Sequence, residues 1–157
     1  AFVDVHAPFG KPVLISVGML NDGEAIGAVR GGAKMLGMAV KILQCVSAYP
    51  APAAALNLAI LRETFDGRPT YDGFSDHTDP RDVWTGALAV VAGASIIEAH
   101  LKSAETDPKN PDAPHAMTPA QFKLYVEHIR YAEVCLGEGE KRLQDCEQPM
   151  ARYRVVS

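Results

Sequence analysis

Four times along the chain a short apolar run gives way to a segment that reads as a helix, and this alternation restricts the folds open to the sequence. VLIS (residues 13–16) follows Lys11-Pro12, and residues 22–36 then read as a helix entered through an Asp22 cap and closed by Gly37. AVKILQC (39–45) is the second strand-like run; SAYPAP, stiffened by two prolines, leads into a second expected helix over 56–65 that ends near Gly67. Residues 70–74 supply the third strand, after which Asp79 is placed to cap, and Pro80 to enter, an apolar helix reaching about residue 92. Residues 95–99 are the fourth strand. The last helix starts at the capping box Thr118-Pro119-Ala120-Gln121, carries Phe122, Val126, Ile129 and Leu136 on one face, and stops at Gly137.

A βαβαβαβα order requires a parallel sheet with right-handed crossovers, either an open doubly wound sheet or a (β/α) barrel. The polar residues favour the barrel. Ser16, then Ser47 and Tyr49, then Ser75 and His77, then Glu98 and His100 follow successive strands at their C-terminal ends, so all four strands feed one rim. The expected fold is therefore α/β: a TIM-type (β/α) barrel of which this chain carries four β/α units, a half-barrel, as a single domain over residues 1–157.

Composition narrows the function. With 157 residues, 48% hydrophobic and 22% charged, the chain has material for a core and is not a disordered segment. Its formal charge is −4, and the basic residues are scattered apart from Lys141, Arg142, Arg152 and Arg154, which excludes nucleic acid and an anionic membrane surface as expected partners. The longest nearly apolar run, 86–97, is too short to span a bilayer, and residues 1–12 do not read as a signal, so a cytoplasmic location is expected. Cys45, Cys135 and Cys146 form no CxxC pair and read as reduced thiols, Cys45 and Cys135 as buried apolar residues. His6, His115 and His128 have no motif around them and read as surface or packing residues. The start at Ala1 rather than Met fits a processed, truncated or incompletely reported product.

KPVLISVGM, CVSAYPAP with the following Leu56-Asn57-Leu58, GFSDHT, IIEAHL and the Pro111-Asp112 pair occur in an order and spacing similar to those of the N-acetylneuraminate (sialic acid) synthase family. Over roughly residues 11–141 the chain resembles the second half of that family's barrel. The resemblance implies an eight-stranded (β/α) barrel that condenses phosphoenolpyruvate with an open-chain N-acetyl amino sugar of the N-acetylmannosamine type. By that resemblance, carbon 3 of phosphoenolpyruvate would attack the aldehyde carbon while water adds at carbon 2 and phosphate leaves. It further implies a divalent metal, manganese with magnesium or cobalt as alternatives, held by His77 and His100. Glu98 is the implied catalytic carboxylate, and Ser16, Ser47, Tyr49, Ser75 and Asp112 are the implied lining of the substrate pocket.

The residues themselves support part of this. Two neutral imidazoles with open positions suit several first-row divalent ions. Glu98 lies two residues before His100 and so points from the same side of the strand. A carboxylate in an apolar SII run also needs a partner. Plainer roles stand beside each: a hydrogen-bonded turn histidine for His77, an ion pair for Glu98, turn hydroxyls for Ser16 and Ser47, a loop anchor for Tyr49, and a turn residue for Asp112.

Two departures from the family pattern stand out, Val17 where a threonine is usual and Ala99 where a lysine is usual. Ala99 alternates away from Glu98 and is expected to leave the site intact, whereas the missing hydroxyl at Val17 weakens the case for holding phosphate. The family's lysine-bearing strands and its antifreeze-like C-terminal domain have no counterpart in these residues. The chain alone is therefore expected to be inactive and to require either a complementary first-half barrel or a homodimer that buries a lumen face bearing Leu14, Leu43 and Ile96. The alternative is a non-catalytic half-barrel that binds a metal or sugar, or only assembles.

Overall fold

A computed structural model describes residues 9–20, 23–35 and 37–154. Four parallel strands, β1 (Val13–Ser16), β2 (Val40–Gln44), β5 (Gly73–Asp76) and β6 (Ile96–Ala99), pair in the order β1-β2-β5-β6. They form a curled half-barrel whose α/β layout matches that expected of a TIM-type barrel. Helix α1 (Gly23–Met35) connects β1 to β2, α2 (Thr85–Ala92) connects β5 to β6, and α3 (Pro119–Leu136) follows. The Asp22 cap, Leu36 and His6 lie outside the described residues.

One expected helix does not form. Residues 56–65 instead give two short 3-10 turns, Ala53–Ala55 and Leu58–Arg62, followed by a hairpin of β3 (Thr64–Phe65) and β4 (Arg68–Pro69). Asn57 enters the left-handed region at φ 48°, which breaks the helical path, and Asp66-Gly67 turn with φ 53° and 69°. Two positive φ values in a two-residue Asp-Gly loop are what a tight hairpin requires. Arg30 of α1 donates to the carbonyls of Pro69 and Thr70, tying this excursion to the body.

Two boundaries also move. The third strand begins at Gly73 rather than residue 70, because Thr70 N–H bonds Glu63 O and Asp72 uses its carboxylate to accept from Ile42 N–H. Asp79-Pro80 forms a turn and not a helix start: the Asp79 carboxylate accepts from Arg81 N–H, and helix α2 begins only at Thr85. Helix α3 follows the expectation closely, with the reciprocal Thr118–Gln121 capping box and Gly137 at its end. Its buried residues are Tyr125 and Ala132, while Leu136 is exposed. Cys45 is buried as expected, but Cys135 lies on the outward side of α3 and is exposed. His128 is a packing residue, stacked on Trp84 at 3.5 Å between ring centroids.

Strand alternation and register define two faces. Val17, Ile42 and Phe74 face the helices and form the core with Ile26, Leu56, Leu61, Tyr71 and Ala89. Val17 is thus a core residue. Leu14, Ser16, Leu43, Ser75, Ile96 and Glu98 occupy the opposite face. On that face Leu14 is 52% exposed, whereas Leu43 is only 1% exposed, so the expectation of an open lumen holds for Leu14 and fails for Leu43. Strands β5 and β6 approach closely enough that a Cβ on Gly73 would meet Ile96 O at 2.0 Å. Among the described residues no helix is long and apolar enough to cross a membrane.

Candidate metal centre

The ends of β5 and β6 bring three metal-ligating side chains together. One potential ligand atom from each of His77, Glu98 and His100 lies within 4.8 Å of the others. His77 sits in the turn after β5, where its carbonyl accepts from Ala51 N–H at 2.7 Å. Its Nδ1 lies 2.8 Å from Val46 O. A carbonyl can only accept, so Nδ1 carries the proton and Nε2 keeps its lone pair for the site.

The surroundings of Nε2 follow from register. Ser75 pairs with Glu98 across β5 and β6, and the Ser75 hydroxyl donates to Glu98 Oε2 at 2.6 Å. Ser75 Oγ and Tyr49 Oη each lie 3.2 Å from His77 Nε2. Because the single Ser75 proton goes to Glu98, Tyr49 is the hydroxyl that donates to Nε2. The Tyr49 ring also stacks on His77 at 4.3 Å.

His100 continues from β6, where its carbonyl accepts from Met117 N–H at 2.8 Å. A bridge between Leu101 and Met117 folds the intervening loop back over the strand end. That loop carries Asp112, whose Oδ1 lies 3.8 Å from His100 Nδ1 and whose side chain is largely exposed.

The donor set fits a divalent first-row cation: two imidazoles and a carboxylate on adjacent strand ends, with one imidazole held in a single tautomer by a backbone carbonyl. Nucleophilic roles for the neighbouring hydroxyl and thiol fit less well. Burial, followed by the nearby Cys45, Asp112 and Glu98, raises Tyr49 above the ordinary phenol range. Burial raises the Cys45 thiol as well, so both remain protonated near neutral pH.

Of the site residues expected from sequence, Tyr49, Ser75, His77, Glu98, His100 and Asp112 are brought together. Ser47 packs instead against Gly18, where a Cβ would meet its Oγ at 2.1 Å. Ser16 ends the edge strand opposite Leu43 and is exposed. Ala99 lies on the other face in register with Asp76, away from Glu98. Sequence reasoning missed His115, whose ring centroid is 5.3 Å from that of Tyr49; no spacing or motif pointed to it. It also missed Asp76 and Tyr125, which hydrogen-bond in the interior behind His77. A carboxylate inside a buried strand was the available signal for Asp76.

The sequence profile of the NeuB family matches residues 1–141. The chain belongs to the NeuB family. This NeuB-family chain is 31% identical over 146 residues to N,N'-diacetyllegionaminic acid synthase of Campylobacter jejuni, covering 90% of itself and 42% of that protein. It is 30% identical over 149 residues to human N-acetylneuraminate-9-phosphate synthase, covering 93% of itself and 40% of that protein. It thus spans about two fifths of the length of these relatives. The crystal structure of N-acetylneuraminic acid (sialic acid) synthetase from Leptospira borgpetersenii in complex with citrate superposes with a TM-score of 0.76 at 30% identity, over 98% of this chain and 52% of that one.

Proposed function

We propose that this NeuB-family chain supplies the metal-binding and sugar-binding part of a synthase that condenses phosphoenolpyruvate with an N-acetyl amino sugar. The observation that carries this reading is the convergence of His77, Glu98 and His100 within 4.8 Å, with His77 Nδ1 engaged by Val46 O. The relatives named N,N'-diacetyllegionaminic acid synthase and N-acetylneuraminate-9-phosphate synthase support the reaction class.

His77 Nε2 and His100 would hold the ion, manganese being the expected one, with the Glu98 carboxylate beside them. When bound, a divalent ion supplies Lewis acidity toward the sugar carbonyl and an orienting template. Ser75 fixes Glu98 by donating to Oε2, which leaves the other carboxylate oxygen to accept a proton from the adding water or to orient a sugar hydroxyl. The single Nε2 lone pair can serve either the ion or Tyr49, so with that lone pair on the ion the Tyr49 hydroxyl, kept protonated, is free to donate to a sugar oxygen. Asp112 is placed at the exposed edge, where a sugar hydroxyl can donate to it.

Among the described residues no Lys or Arg side chain hydrogen-bonds or pairs with His77, Glu98, His100 or Asp112. A phosphate-bearing substrate needs such partners. The reading therefore includes assembly: a complementary half-barrel, or a second copy of this chain, packs on the face carrying Leu14 and brings cationic groups. Analytical ultracentrifugation of the chain separates these two, and a well-folded monomer at micromolar concentration with no exposed-hydrophobe dye binding sinks the assembly part.

Isothermal calorimetry with manganese tests the centre. The chain is expected to bind close to one ion per site, with affinity falling as the pH is lowered from about 8 to 5 because imidazoles must be neutral to ligate. A His77→Ala, His100→Ala double variant is expected to lose this binding. Equal binding by both proteins overturns the proposal.

A further inference from the structure

We infer that Asp76 and Tyr125 form a positioning device for His77, a buried clamp that sets where its Nε2 points; this rests on the metal-centre reading above. Asp76 ends β5 and is 5% exposed. Its carboxylate receives three hydrogen bonds: Thr78 N–H at 2.9 Å and Thr78 Oγ1–H at 2.7 Å reach Oδ1, and Tyr125 Oη–H at 2.7 Å reaches Oδ2. Asp76 and Thr78 flank His77, so the ring closed by these bonds spans the ligand residue. With Ala51 N–H on its carbonyl and Val46 O on its Nδ1, His77 is restrained on its backbone and on its imidazole.

The other end of the clamp comes from α3, forty-nine residues along the chain. Tyr125 is 1% exposed, and α2 makes room for its ring with a glycine: a Cβ on Gly86 would meet Tyr125 Cζ at 2.4 Å. Burial, together with the Asp76 carboxylate, raises the Tyr125 phenol far above its ordinary range, so it remains a donor. Packing α3 on the sheet does not require these polar groups. A phenylalanine occupies nearly the same volume, and a buried carboxylate is unfavourable by several kcal/mol unless it is fully satisfied. What the pair adds over an apolar contact is direction. The carboxylate is bonded to both the turn around His77 and the last helix, and metal ligands need that kind of outer support.

The test compares Tyr125→Phe with the conservative Asp76→Asn in the full chain. Asparagine keeps an acceptor for Thr78, and its amide can donate to Tyr125. Manganese affinity is expected to fall about tenfold in Tyr125→Phe and to stay within about threefold in Asp76→Asn. In the metal-free chain, imidazole nitrogen-15 shifts are expected to report His77 as the Nδ1–H tautomer in wild type and as a tautomer mixture in Tyr125→Phe. If Tyr125→Phe melts earlier yet keeps both its manganese affinity and its His77 shifts, the pair is purely structural and the inference is overturned. If wild type binds no manganese, the metal-centre reading fails, and the His77 shifts alone decide the clamp. Should Tyr125→Phe not fold, Thr78→Val removes one bond of the same ring, and unchanged His77 shifts in it overturn the inference.

Discussion

Strands β1 and β5 each have four residues and lie in the same sheet, yet they differ in what they can hold. Along β1 the residues alternate between partly buried and exposed, whereas all four residues of β5 are buried. The cause is position. β5 pairs with β2 on one side and β6 on the other, while among the described residues β1 pairs only with β2. The difference extends to function: β5 and its following turn place Ser75 and His77 in a hydrogen-bonded site, and Ser16 at the end of β1 remains exposed. The flanked strand thus holds the more buried part of the constellation, Ser75 and His77, while Glu98 and His100 come from β6, whose one partner among the described strands is β5.

The largest expected effect comes from truncating each strand's apolar residue. Phe74→Ala, at a fully buried position, is expected to lower stability by about 3–5 kcal/mol, and Leu14→Ala on β1 by less than about 1 kcal/mol, read from urea unfolding midpoints. Similar losses would break the comparison. Glycines sharpen it through opposite signs. Gly73→Ala forces a methyl onto Ile96 O and is expected to destabilise by about 1–3 kcal/mol. Gly31→Ala in α1, the helix that follows β1 in the chain, meets open space and is expected to stabilise by about 0.5–1 kcal/mol. Thermal melts of both variants decide, and a matching sign sinks the argument.

The smallest effect concerns Asp79, close to β5 in sequence but outside its packed environment. Hydrogen bonds from the Arg81 side chain and backbone lower the Asp79 carboxyl to about 2. A lowered folded-state value means that any stabilisation is present above the ordinary carboxylate range and is lost as pH falls through about 4 toward 2. Because Arg81 is solvent-exposed, Arg81→Ala is expected to leave the neutral-pH melt unchanged while Asp79 titrates closer to its usual value by carbon-13 NMR. A clear loss of stability at neutral pH would mean that proximity to β5, and not burial, governs.

Local signals made much of this legible. Thr118-Pro119-Ala120-Gln121 announced α3 because a capping box closes within one turn, and the GFSDHT and IIEAHL runs marked the strand ends that carry His77, Glu98 and His100. Where local signals competed, reading failed. Leu56 to Phe65 has helix-like apolar content, but left-handed Asn57 and the Asp66-Gly67 turn prevailed. The Asp66-Gly67 pair is a local hairpin signal that a helical reading of 56–65 leaves out of account.

The succession of strands along the chain and the motifs that carry His77, Glu98 and His100 were therefore legible in the sequence itself, since each strand or cap depends on bonds or periodicities spanning a few residues. The convergence of those three side chains, by contrast, required β5 and β6 to pair in register. The tertiary structure decided which tautomer His77 adopts, that His115 lies beside Tyr49, and that Tyr125 reaches Asp76 across forty-nine residues. Those contacts have no local signature. They exist only once β5 is enclosed by its neighbours and α3 packs over α2, because burial is what makes a polar group seek the one partner within reach.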